Sequence, residues 1–143
     1  MTPQLGKRVV LVETVVRGLY PLMLLGAIWL WYRGHNAPGG GFIGALMAVS
    51  ATAAYALVFG VGAARDRIPL GPLRISVLGL SLAVASGVPA LLRGAPFLTH
   101  PWTKLSLGIT TLPVSSVMVF DLGVMLCVWG ALAGFCLRLL EDE

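Results

Sequence analysis

Asp121 is the residue of this sequence whose type and position most clearly predict chemistry, because it is the single charged residue between Leu105 and Leu137. A carboxylate in a long apolar segment is costly inside a membrane and usually faces a bundle interior or a hydrated cavity. Such a group can bind a proton or coordinate sodium, so we predict ion handling by Asp121. Structural anchoring is the alternative, with the carboxylate bound by helix-terminus amides or by the hydroxyl of Ser115 or Ser116.

Four other titratable residues are weaker candidates for the same ion path. Glu13 and Arg17 are four residues apart, which is the spacing of an ion pair on a helix surface, and we expect such a pair near a membrane interface. His35 and His100 are isolated, and their side chains titrate near neutral pH. Proton entry is one role for these histidines, and hydrogen bonding that holds a loop is the other.

No pattern typical of an enzyme, a cofactor site or a metal site is found in the chain. There are no paired carboxylates, no HExxH pattern, no nucleophile elbow and no phosphate loop. We therefore expect no enzymatic activity, no cofactor and no metal. The ten Lys and Arg residues are scattered between apolar runs, so nucleic acid is not an expected partner despite the net charge of +4.

The composition indicates that the candidate residues are positioned by membrane-spanning helices. Of the 143 residues, 57% are hydrophobic and only 11% are charged, against about a quarter in soluble domains. A spanning helix needs about 20 apolar residues, and the charged residues separate segments of nearly that length. We predict an all-α membrane protein, a single membrane domain over residues 1–143, with helices at about 9–32, 41–64, 72–92 and 115–140 and with Pro21 inside the first.

The distribution of Lys and Arg predicts the orientation in the membrane. With four spans, both termini lie on the same side of the membrane as the loop between spans two and three. That side carries seven of these residues, against three on the other side, and positive loops favour the cytoplasm. The seven are Lys7, Arg8, Arg17, Arg65, Arg67, Arg74 and Arg138, and the three are Arg33, Arg93 and Lys104. We therefore predict cytoplasmic N- and C-termini.

Small residues at four-residue spacing predict faces on which helices pack closely. The second span has the longest such series, the third has a shorter one, and the fourth has a pair. They are Gly40, Gly44, Ala48, Thr52, Ala56, Gly60 and Ala64; Gly79, Ala83 and Gly87; and Gly130 and Gly134. Whether each face meets a helix of this chain or of another protein is left open by the pattern.

Three short motifs resemble one known family. They are Gly34-His35-Asn36-Ala37-Pro38-Gly39-Gly40-Gly41-Phe42, Gly94-Ala95-Pro96-Phe97-Leu98-Thr99-His100 and Phe120-Asp121-Leu122-Gly123-Val124. The chain resembles the B subunit of the Mrp-type (Mnh) multisubunit Na+/H+ antiporters of bacteria, and its length and four-helix arrangement are similar as well. The loop from Pro101 to Pro113 matches no motif, and nothing is assigned to it.

The resemblance implies a function that the residues alone do not define. It implies partners: large subunits related to those of respiratory complex I, small membrane subunits, Na+, protons and the lipid bilayer of the bacterial cell membrane. It makes Asp121 the leading ion-path residue and gives a structural role first to His35, Pro38, Gly39, Gly40, Gly41 and Phe42.

We therefore predict a non-catalytic subunit of a cation/proton antiporter that contributes to assembly and to the ion path. The alternatives are an accessory subunit of a related membrane-bound hydrogenase or respiratory complex, and an autonomous homo-oligomeric transporter.

Overall fold

The computed structural model describes residues 3–34, 38–99, 102–106 and 111–141, with side chains described for residues 9–34, 38–99 and 116–141. In chain order, its elements are α1 (Pro3–Arg33), α2 (Gly41–Phe59), α3 (Val61–Asp66), α4 (Pro72–Ala85), α5 (Val88–Leu92), β1 (Trp102–Ser106), β2 (Thr111–Ser115) and α6 (Ser116–Glu141). His35 and His100 lie outside the described residues.

Within the described residues, four helical segments are long and apolar enough to cross a membrane. They are Val9–Arg33, Gly41–Phe59, Pro72–Leu92 and Ser116–Glu141. The shortest has 19 residues and reaches about 28 Å at 1.5 Å per residue, close to the roughly 30 Å of a bilayer core. The predicted helical membrane fold with four spans is confirmed, and the cytoplasmic position of the termini stays a prediction.

The second span ends earlier than predicted, because the helix stops at Phe59 and not near Ala64. Gly60 interrupts it with φ of 88° and ψ of 160°, a backbone conformation essentially restricted to glycine. The chain then forms the short helix α3. Residue spacing does not reveal a positive φ, which is why the sequence predicts one continuous helix here.

The third span consists of two helices. α4 ends at Ala85, a turn at Ser86 and Gly87 follows, and α5 begins at Val88 with Pro89 in its first turn. Pro89 has no N–H to donate to the carbonyl of Ala85, and its ring would clash with that carbonyl in a continuous helix. The Ser86 hydroxyl donates to the Ala83 carbonyl at 2.7 Å, within the last turn of α4.

A short antiparallel hairpin joins the third span to the fourth. β1 and β2 pair with Trp102 opposite Ser115 and Ser106 opposite Thr111. No element was predicted for this loop. Both strands of a two-stranded sheet are edges, so Pro113, which has no N–H, is tolerated opposite Lys104. The sequence predicts the fourth helix from about residue 115, and α6 begins at Ser116.

The four spans pack in the spatial order α1, α2, α6, α4, with α2 between α1 and α6. The core of this arrangement consists largely of small side chains, and Ala45, Ala48 and Ala133 are completely buried. Many large apolar side chains point outward, and only 6% of the spanning window of α1 is buried, although Leu137, Met125 and Trp129 of α6 belong to the core. Small residues inside and large ones outside are expected where helices approach closely in lipid or against other membrane helices.

Candidate functional site at the N-terminus of α2

The carboxylate of Asp121 binds the first turn of another helix. Asp121 is half-buried near the start of α6, and its Oδ2 atom accepts a hydrogen bond of 2.7 Å from the backbone N–H of Gly41. Gly41 is the first residue of α2, where backbone N–H groups have no acceptor within the helix. The positive end of the α2 dipole also stabilises a negative charge at this position.

The glycines of the Pro-Gly-Gly-Gly motif allow this close approach. Gly40 has φ of 116°, a conformation that side chains rarely adopt. A Cβ atom on Gly41 would collide with the backbone oxygen of Asp121 and lie 2.8 Å from its Oδ1 atom. A Cβ atom on Gly39 would lie 2.6 Å from the carbonyl oxygen of Leu30. The motif therefore lets the chain return over the end of α1 and place the start of α2 against Asp121.

The other predicted motif residues next to this turn are at its outer surface. Pro38 is exposed, and Phe42 leaves 54% of its surface exposed.

A second contact joins α1 to the same end of α6, because the Trp31 indole N–H donates to the Met118 carbonyl at 3.3 Å. The start of α2, the end of α1 and the start of α6 thus meet at one end of the bundle.

Glu13 and Arg17 lie toward the other end of the bundle. The Arg17 guanidinium lies over the ring of Phe59 at 5.2 Å from its centroid, and Phe59 ends α2, the helix whose first residue binds Asp121. Both side chains are described, and they form no ion pair with each other. Glu13 is half-buried beside Val9 and Leu57. The structure therefore does not bring Glu13 or Arg17 together with Asp121.

Three residues of the predicted packing face of α2 lie between α1 and α6. A Cβ atom on Gly44 would be 2.6 Å from the Ala27 carbonyl oxygen of α1 and 3.4 Å from the Met125 sulfur of α6. Ala48 and Thr52 are completely buried. The prediction that Gly60 is a packing residue is wrong, because Gly60 is exposed and no described atom lies within 4 Å of a Cβ built on it.

Thr52 also carries a polar contact in the core. Its hydroxyl donates to the Ala48 carbonyl at 2.8 Å and accepts the indole N–H of Trp129 at 3.1 Å. These are the partners that a buried hydroxyl and a buried indole N–H require. The sequence pattern identified Thr52 as a small residue of the packing face and missed this hydrogen bond.

The pair of glycines in α6 faces α4 of the same chain. A Cβ atom on Gly130 would lie 2.5 Å from the Pro72 carbonyl oxygen, and one on Gly134 would lie 3.0 Å from the Pro72 side chain. Gly79 and Gly123 bring the same two helices together nearer the Asp121 end, since a Cβ on Gly123 would lie 2.7 Å from the Gly79 carbonyl oxygen. In the Phe-Asp-Leu-Gly motif, the acid thus contacts α2 and the glycine contacts α4.

A cluster of aromatic rings and arginines was not predicted from the sequence. The ring of Tyr55 contacts the rings of Tyr20 and Phe59 in tilted arrangements, with centroid distances of 5.1 and 4.4 Å. The Arg67 guanidinium lies 4.9 Å from the Tyr55 centroid, and the Tyr20 hydroxyl donates to the Arg67 carbonyl at 3.3 Å. The three aromatic positions lie on two different helices, so no spacing along one helix indicates the cluster.

The described side chains form no group of three His, Cys, Asp or Glu residues that could hold a metal ion. What the arrangement around Asp121 provides is a half-buried carboxylate at the positive end of a helix, within a spanning segment. Such a carboxylate can anchor α2, and it can also interact with a cation or a proton. These are the two roles that the sequence left open, and the ion-path role stays a prediction.

Comparison with known proteins identifies the family. A family model described as a domain related to the MnhB subunit of Na+/H+ antiporters matches residues 11–134. The chain belongs to this family. Two relatives of this MnhB-family chain are each named as the B subunit of a Na+/H+ antiporter. The one from Bacillus subtilis is 34% identical over 93% of this chain and 94% of its own length. The one from Alkalihalophilus pseudofirmus is 33% identical over 94% of each chain.

Two longer proteins contain a similar region. A Rhizobium meliloti protein, named as the A/B subunit of a probable K+/H+ antiporter, is 36% identical over 82% of this chain and 12% of its own length. The solved structure of the Mrp complex from a Dietzia species matches with a TM-score of 0.80 and 32% identity, over 99% of this chain and 15% of that chain. This MnhB-family chain thus spans about a seventh of the solved chain it matches. The four apolar helices and the bacterial relatives make it a multi-pass bacterial membrane protein.

Proposed function

We propose that this chain is a non-catalytic membrane subunit of a multisubunit antiporter that exchanges a monovalent cation, Na+ first, for protons. The observation that carries the proposal is the family match over residues 11–134, together with relatives of similar length named as B subunits of Na+/H+ antiporters. The described part of the chain consists of spanning helices with short connections and one small hairpin. This architecture supports a role in building the complex rather than in chemistry outside the bilayer.

We infer that the partners are the other subunits of an Mrp-type complex. The solved relative is a chain of such a complex. The outward face of α1 offers a surface for such partners, since Leu11, Leu22 and Leu25 each leave more than 60% of their surface exposed. An extended apolar face of this kind is covered in the membrane by lipid or by other helices.

Asp121 is our candidate for the contribution to the ion path. An acid in a spanning segment is costly to retain unless it is used or fully anchored. The hydrogen bond from Gly41 supports anchoring, and the position of the carboxylate within a spanning helix supports ion handling. His35, His100, Glu13 and Arg17 remain secondary candidates.

The experiment that tests the function is antiport in everted membrane vesicles. Vesicles from cells lacking this chain, and from cells in which it is restored, are energised, and the collapse of the pH gradient on adding NaCl, KCl or LiCl is followed with a fluorescent dye. We expect the deletion to abolish cation-dependent collapse and restoration to recover it. Unchanged antiport in the deletion strain, with the other subunits present, would contradict the proposal.

Na+ and K+ are both tested because relatives are named for a Na+/H+ antiporter and for a probable K+/H+ antiporter. A response to K+ alone would keep the antiporter function and change the cation. Loss of a respiratory or hydrogenase activity on deletion, with antiport intact, would favour the alternative complex.

A further inference from the structure

A groove between α4 and α6 combines a charged mouth with an apolar interior. This open groove has a volume of about 500 Å³, and Arg65, Arg138 and Glu141 are its charged lining residues. Leu73, Ala131 and Phe135 are among the apolar residues that line the rest. The groove is therefore amphipathic along its length.

The two parts of the groove lie where the two parts of a lipid would lie. Arg138 and Glu141 belong to the last turn of α6, and Arg65 follows the end of the second span. The apolar lining residues belong to the spanning segments Pro72–Leu92 and Ser116–Glu141. The charged mouth is thus at the level of headgroups, and the apolar part extends toward the level of acyl chains.

The charges at the mouth favour an anion. Two arginines and one glutamate leave an excess of one positive charge, and planar guanidinium groups match the geometry of phosphate oxygens. Arg65 already contacts Glu141 at 2.7 Å, but the two side chains are 43% and 40% exposed. An ion pair with that exposure is weak, so Arg65 can contact a phosphate group without a large loss.

We propose that this groove binds an anionic phospholipid, with the phosphate between Arg65 and Arg138 and an acyl chain along Leu73, Ala131 and Phe135. Basic pockets between spanning helices are a recognised form of binding site for anionic headgroups. A free anion would need only the arginines, and an acidic protein segment would not need the apolar part. The lipid is the occupant that uses both parts of the groove.

The binding test uses the purified complex that contains this chain, delipidated in mild detergent and titrated with phosphatidylglycerol. Phosphatidylcholine with the same acyl chains is the reference, and bound lipid is counted by native mass spectrometry. We expect Arg65→Gln and Arg138→Gln each to weaken phosphatidylglycerol binding about fivefold. The control is Arg74→Gln, an exposed arginine of α4 that does not line the groove, and we expect it to change binding little.

Two further variants separate a lipid from other occupants. Ala131→Phe fills the apolar part of the groove and leaves its charges unchanged, so we expect it to weaken lipid binding at least as strongly as Arg65→Gln or Arg138→Gln. Unchanged binding would show that the groove holds only a phosphate group and would overturn the proposal. Glu141→Gln removes the competing carboxylate and keeps both arginines, so we expect binding to strengthen severalfold. Equal binding by Arg65→Gln, Arg138→Gln and Arg74→Gln would also overturn the proposal, as would cross-linking of Ala131→Cys to another protein of the complex.

Discussion

At the scale of single residues, one set of substitutions separates the observed anchoring contact of Asp121 from its proposed role in the ion path. The Asn side chain has no charge but keeps an oxygen that can accept a hydrogen bond from the Gly41 N–H. The Ala side chain has neither the charge nor the oxygen. We predict that Asp121→Asn preserves membrane insertion and complex assembly and lowers Na+-dependent proton movement in vesicles at least about tenfold. The charge, and not only the hydrogen bond, would then be needed for transport.

Asp121→Ala is the matched comparison for this prediction. We expect it to lower both the yield of assembled complex and the transport rate, because the first turn of α2 loses its acceptor. Wild-type antiport by Asp121→Asn with normal assembly would remove Asp121 from the ion path and leave it as an anchor.

The hydrogen bond between Thr52 and Trp129 gives a second prediction at this scale. Thr52→Val keeps the shape of the side chain and leaves the buried indole N–H without its acceptor. We predict a loss of about 1 kcal/mol in the free energy of unfolding in mixed micelles. Thr52→Ser keeps the hydroxyl and loses the buried methyl group, so we expect it to retain the hydrogen bond to Trp129. An equal loss in a Trp129→Phe background would show that the hydrogen bond is not the cause.

For Asp121, the sequence predicted the kinds of chemical group involved better than it predicted which residues are in contact. Asp121 and helix-terminus amides were both identified from the sequence, but nothing in the sequence indicated that the amide belongs to Gly41 on α2, 80 residues away. Spacing along one helix does not specify which end of another helix approaches it. The packing of α2 against α6 decides that, and the sequence pattern does not contain it.

At the scale of elements, the close approach of α1 and α2 depends on Gly44. A leucine side chain there has no space, because the Ala27 carbonyl oxygen would be 2.6 Å from its Cβ atom. We predict that Gly44→Leu separates the two helices and lowers the yield of assembled complex severalfold on native gels. Gly62→Leu is the control, since Gly62 is exposed and a Cβ there meets no described atom within 4 Å. Equal yields for the two variants would contradict the packing face.

The four spans could be predicted from the sequence, because long apolar segments with few charged residues are typical of membrane helices. The points at which these helices are interrupted could not be predicted in the same way. Gly60 has the four-residue spacing of a packing residue and instead ends α2 with a positive φ. The hairpin of β1 and β2 has no periodicity long enough to predict it. Backbone conformation at single glycines and short strand pairing are therefore what the pattern of apolar residues leaves undetermined.

At the scale of the whole molecule, the orientation in the membrane is a prediction from the Lys and Arg distribution. It places the N- and C-termini in the cytoplasm and the turn at Gly94 outside. In a background without Cys127 and Cys136, we predict that Gly94→Cys reacts with a membrane-impermeant maleimide on intact cells and that a cysteine added after Glu143 reacts only after lysis. The reverse labelling pattern would contradict this orientation and place the termini outside.

Assembly into an antiporter complex is the central claim, and it is tested most directly by purification from native membranes in mild detergent. The proteins that co-purify with this chain in stoichiometric amounts are identified by mass spectrometry. We predict large subunits related to those of respiratory complex I together with several small membrane subunits. Recovery of the chain alone, or as a homo-oligomer, would contradict the claim, and hydrogenase subunits in their place would move the same fold to a different complex.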